Sequence, residues 1–70
     1  MAPNNPTALY DSKTYLLRLT SKYLLATSDE ELNKITTAMN FISIGINVYN
    51  IDNDSEFLNS MLRRAKRVYV

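Results

Sequence analysis

Four cations crowd the end of this chain: Arg63, Arg64, Lys66 and Arg67 fall within five residues. At that density, guanidinium and ammonium groups can meet nucleic-acid phosphates, an anionic membrane surface or an acidic protein. Against duplex DNA they would supply phosphate contacts, and so affinity rather than sequence choice. A plainer account is that basic residues in a last helical turn complement the helix dipole and keep a small apolar domain dispersed.

Six of the seven carboxylates form two groups. Asp29, Glu30 and Glu31 follow Ser28, and together they read as a capping box: Ser28 accepts from the Glu31 amide while Glu31 reaches back to the Ser28 amide. Helix capping explains these acids without acid–base chemistry or a metal. The second group, Asp52-x-Asp54-x-Glu56, resembles the start of a calcium loop. Its twelfth position is Arg63, where an EF-hand supplies a bidentate Glu, so it is rejected.

Other chemistry lacks its residues. The chain has no histidine and no cysteine, and with them go the commonest general base and the strongest common nucleophile. It has one glycine, too few for a phosphate-cradling loop. No enzyme and no cofactor is expected.

Size and charge bound the rest. Seventy residues allow one small domain, 46% of it hydrophobic, with neither disulfides nor a Cys/His metal site to staple it. That apolar share is ample for so short a chain and hints that a partner covers part of its surface. The net charge of +1 disfavours binding to nucleic acid through overall charge but allows a local basic patch. No apolar run approaches the roughly 20 residues of a membrane span. The stretch MAPNNPTALYD lacks the basic and apolar regions of a secretory signal, so a cytoplasmic location is expected. In that setting the acceptor pattern Asn53-Asp54-Ser55 is chance.

The elements that position these groups read as three helices at about 8–26, 29–50 and 54–69, in one domain over 8–70. Residues 1–7, with both prolines, read as a flexible arm. In the first helix Leu9, Leu16, Leu17, Leu19, Tyr23, Leu24 and Ala26 share one side, with Leu25 among the polar residues. Its N-cap is left open among Thr7, Asp11 and Ser12.

The second helix carries Leu32, Ile35, Met39, Ile42, Ile46 and Tyr49 at alternating three- and four-residue steps. Its second half also alternates like a strand from Ile42 to Val48. The helix reading is preferred, because the polar residues fall within an arc of about 140° and a strand there has almost nothing to pair with. Gly45 lies inside the apolar arc, where a missing side chain lets a neighbour approach. After a break at Asp52–Ser55, with Asn53 or Asp54 as N-cap, the third helix is cleanly two-faced. Phe57, Leu58, Met61, Leu62, Ala65, Val68 and Tyr69 lie on one side and the four cations on the other. Short connections make consecutive helices antiparallel, so the expected fold is all-α, a small up-down-up three-helix bundle.

Ile44 and Ile51 sit seven residues apart within the polar arc of the second helix, with Thr37 one heptad earlier and Leu25 at the matching place in the first. They mark a candidate protein interface. Tyr10, Tyr49 and Tyr69 are possible contributors, since tyrosine is enriched at interfaces. The function expected is therefore a non-catalytic interaction module: a subunit, adaptor or regulator that docks onto another protein or onto itself. The alternative is a nucleic-acid-binding protein using the basic face of the third helix. Acidic residues at that helix's start, where a helix-turn-helix would read bases, weigh against it.

Overall fold

The computed structural model describes residues 7–70, so six of the seven residues of the expected arm lie outside it. Three helices follow one another: α1 over Ala8–Leu25, α2 over Asp29–Asp52 and α3 over Ser55–Val68. The segment Ile42–Val48, which alternates like a strand, is helical throughout. At 1.5 Å per residue, α2 is about 36 Å long, nearly the full 41 Å of the molecule's longest axis. The other two helices pack along it, and its contact with α3 is the most extensive.

The helix ends are set by short-range chemistry. Ser28 Oγ accepts from the Glu31 amide at 3.2 Å, as the capping box requires. Between α2 and α3 the two candidate caps divide the work. Asn53 adopts a left-handed conformation at φ 56° and donates its amide to Tyr49 O at 2.8 Å, stopping α2. Asp54 then caps α3, its carboxylate accepting from the Phe57 amide at 2.9 Å. Thr7 is the N-cap residue of α1, but its hydroxyl donates to Asp11 Oδ2 at 3.0 Å instead of accepting from the helix.

Leu19, Ile35, Ile42 and Leu58 are the largest hydrophobic side chains that are fully buried. Around the first three pack Tyr15, Ala38, Leu62 and Ala65, with Met39, Phe41, Ile46 and Tyr69 partly buried at the edge. Gly45 lies where α2 crosses α3. A Cβ there would stand 3.0 Å from Leu58 Cδ1 and 3.0 Å from Met61 Cβ, so the close approach depends on its missing side chain.

One expectation needs correction. The buried residues of α1 are Ala8, Ser12, Tyr15 and Leu19, whereas Leu17 and Leu24 are 71% and 76% exposed. The buried face is turned by roughly 80° from the one that apolar content suggested. Tyr15 supplies a reason: its ring enters the core while its hydroxyl donates to the carbonyls of Ala65, at 3.2 Å, and Tyr69. Tyr69 O lies just past the last turn of α3, where carbonyls lack intrahelical donors, so the buried phenol satisfies it and itself, while Ala65 O also accepts the Tyr69 amide.

Candidate interaction surfaces

The apolar candidates stand on the outside. Leu25, Thr37, Ile44 and Ile51 are all exposed, Ile51 at 80% and Ile44 at 49%. Thr37, Ile44 and Ile51 form a line along α2 that points away from Ile35 and Ile42, because seven residues bring a helix round to almost the same direction. Leu25 does not join it. It ends α1 beside the start of α2, whereas Ile51 is near the far end, on the order of 30 Å along the axis.

A second apolar line lies on α1, and Leu25 stands about 80° round the helix from its middle. Tyr10, Leu17 and Leu24 are 72%, 71% and 76% exposed and recur every seven residues along α1, diametrically opposite Tyr15 and Leu19. Two helices of this bundle thus carry heptad-spaced apolar residues on their outer faces. The one on α2 is legible in the sequence because it interrupts a polar arc. The one on α1 is masked, because apolar residues occur almost all the way round that helix and only packing shows which of them are spare.

The four cations of α3 are exposed, spread over an arc of about 160° rather than converging on a point. Lys66 is the most engaged, its Nζ lying 5.8 Å from the centroid of the Tyr15 ring. It shares a shallow cavity of about 200 Å³ with Asp11, Thr14 and Arg18 of α1. Arg18, a residue of the polar side of α1 outside the expected basic cluster, extends the positive surface from α3 onto α1. Nothing in the local pattern of α1 marks it.

The acidic residues at the start of α2 diverge. Glu30 pairs with Lys34 at 3.7 Å on the surface, and Glu31 accepts the Tyr69 hydroxyl at 2.9 Å. That second bond departs from the expected capping box, in which Glu31 turns back to Ser28. Among the described residues, no three acidic side chains converge to hold a metal ion. Beside this junction lies another shallow cavity, about 280 Å³, lined mainly by Glu30, Glu31, Lys34 and residues 68–70. The Tyr69 phenol is raised from its ordinary pKa, first by the bond to Glu31, which needs its proton, and then by desolvation. The Tyr15 phenol is raised chiefly by burial.

Fold and surface together define a small three-helix bundle whose outer faces carry exposed apolar side chains among polar ones on α1 and α2, and four cations on α3. In comparison with known proteins, no family model, no curated protein and no solved structure matches this chain. Among the described residues, no helix is long and apolar enough to cross a membrane.

Proposed function

We propose that this chain works by contact, as a non-catalytic helical interaction module: a subunit, adaptor or regulator that docks onto another protein or onto itself. The observation that carries the reading is the pair of outer apolar lines, Tyr10–Leu17–Leu24 on α1 and Ile44–Ile51 on α2. Single exposed apolar side chains are ordinary. Heptad-spaced series on two rigid helices, in a chain whose core is already closed without them, support surfaces shaped for other molecules. The residue inventory supports the non-catalytic part, since neither histidine nor cysteine is present. The proposal includes a cytoplasmic setting, in which a cysteine-free domain needs no disulfides.

The test is capture with the intact chain from its native source, repeated with Ile44→Glu, Ile51→Glu and Leu17→Glu. A specific partner, or self-association seen by sedimentation, that one of these changes removes while helicity is unchanged supports the reading. A monomer that captures nothing, or the same partners from every variant, counts against it.

A second reading, nucleic-acid binding, is favoured by the exposure of Arg63, Arg64, Lys66 and Arg67 and by Arg18 beside Lys66. It requires retardation of a generic duplex or single strand at low salt, lost steeply as salt rises and abolished by charge reversal at Arg63 and Arg67.

A further inference from the structure

A line of exposed residues runs down the outer side of α2: Asn33, Thr37, Asn40, Ile44, Asn47 and Ile51. Steps of four and three residues alternate along it without a break, the spacing of a two-helix seam, and it covers about 27 Å of the helix. The line points almost directly away from the buried Ile35, Ala38, Ile42 and Gly45, so α1 and α3 lie behind it. No charged residue occurs between Lys34 and Asp52. The other helices do carry charge on their exposed sides, α1 at Lys13, Arg18 and Lys22 and α3 at its four cations. A face without charge that keeps exposed isoleucines has the composition of a contact surface.

The order of residues within the line identifies the occupant. Thr37, Ile44 and Ile51 hold one set of alternate positions and the asparagines hold the other. Two parallel copies in register place every residue opposite its own counterpart. Ile44 then meets Ile44, Ile51 meets Ile51, and each asparagine meets an asparagine, whose amide both donates and accepts. An antiparallel pair centred on the line sets the two alternate sets against each other, so each isoleucine would face an asparagine that it cannot satisfy. The flanks agree, since the parallel pair brings Asp29 towards Lys34 of the second copy on both sides of the axis. From these observations we propose that two copies of this chain associate in parallel through α2, about a twofold axis running along the line from Asn33 to Ile51. The proposal rests on the interaction-module reading and names a second copy as the partner of its α2 face.

Two features oppose the contact. Glu30 stands at the head of the same seam, where the twofold sets it near its counterpart, and parallel helices align like ends of their dipoles. Lys34 lies 3.7 Å from Glu30 within each copy and offsets the first of these. The asparagine layers fix register at a cost in stability. Association is accordingly weak and concentration-dependent, and Glu30→Gln should tighten it several-fold.

The chain has no cysteine, so each introduced thiol is the only one in its copy. A disulfide needs Cα atoms within about 7 Å. In the parallel pair, Thr37→Cys and Ile51→Cys each meet their own counterpart. No antiparallel register allows both, since the two positions lie about 21 Å apart along α2. Under mild oxidation each of these variants alone should give a covalent dimer, while Leu17→Cys on α1 should stay monomeric. Sedimentation of the unaltered chain should rise with concentration from 8.0 kDa towards twice that mass. Asn47→Lys, at an exposed position, sets like charges face to face and should abolish the rise with unchanged helicity. A cross-link at only one of Thr37 and Ile51 overturns the parallel register. Equal cross-linking of Leu17→Cys, or a rise in mass that persists in Asn47→Lys, overturns the α2 contact. A mass of 8.0 kDa at every concentration with no α2 cross-link overturns the second copy as the occupant. The interaction-module reading then stands if capture recovers a partner that Ile44→Glu releases, and falls if capture also fails.

Discussion

The Tyr69 hydroxyl donates to Glu31 Oε2 at 2.9 Å across 38 residues of chain, tying the end of α3 to the first turn of α2. The same residue accepts the Tyr15 hydroxyl on its backbone carbonyl and gives its own amide to Ala65 O at 3.0 Å. One residue past the end of α3 thus holds all three helices. This junction sits where a small bundle is otherwise prone to fray, at a helix end whose last carbonyls have no intrahelical donors.

The junction makes stability sensitive to alkali. Glu31 accepts from the protonated phenol, so the pKa of Tyr69 is raised, and burial raises that of Tyr15. A group whose folded pKa is raised contributes fully below its unfolded value and loses that contribution as pH climbs through the folded value. Melting temperature should therefore hold from neutral pH up to about 9 and fall above the ordinary phenol pKa near 10. Tyr69→Phe should lower it at neutral pH and flatten the alkaline fall. An unchanged melting curve in Tyr69→Phe at both pH values would remove the junction from the account.

Ser12 is fully buried and its hydroxyl has no hydrogen-bond partner. Ser12→Ala removes an unsatisfied polar group and adds a better helix former. The expected gain is about 1 kcal/mol, which in a domain of this size raises the melting temperature by roughly 4–8 °C. Calorimetry decides it, and a loss of stability would show that the hydroxyl is satisfied in solution.

Gly45→Ala sets two effects against each other. Helix propensity favours Ala by about 1 kcal/mol, but its Cβ would stand 3.0 Å from Met61 Cβ, an atom held by the α3 backbone. Separating α2 from α3 across their whole contact costs more than one local adjustment, so a net loss of about 1–2 kcal/mol is expected. Gly45→Val should lose more. Urea midpoints measure both, and a stabilised Gly45→Ala would mean that the α2–α3 spacing is loose.

The orientation of α1 is tested by a pair of leucines two residues apart. Leu19 is fully buried, so Leu19→Ala should cost about 2–5 kcal/mol. Leu17 is 71% exposed, so Leu17→Lys should change stability by no more than about 0.5 kcal/mol. The reverse order in denaturant titrations would restore the face that apolar content suggested.

Much of the fold is local and so was legible. Ser28 and Asp54 act on amides three residues away, and Asn53 stops α2 through its own backbone angle. Such signals need no tertiary context, and with the two-faced pattern of α3 they give three helices in their observed places. The outward direction of Ile44 and Ile51 followed from the polar residues around them on α2.

What only the tertiary structure decided is which apolar residues the core uses and where the polar hands reach. Around α1 the leucines are too evenly spread for periodicity to choose a face. Packing chose the line through Ser12, Tyr15 and Leu19, because the phenol of Tyr15 finds carbonyls fifty and fifty-four residues away. That choice left Leu17 and Leu24 outside, turned Glu31 from its own cap to Tyr69, and set Arg18 beside Lys66. Capping chemistry acts over a single turn and can be read along the chain. Burial is shared among three helices, and it is fixed only when all three are in place.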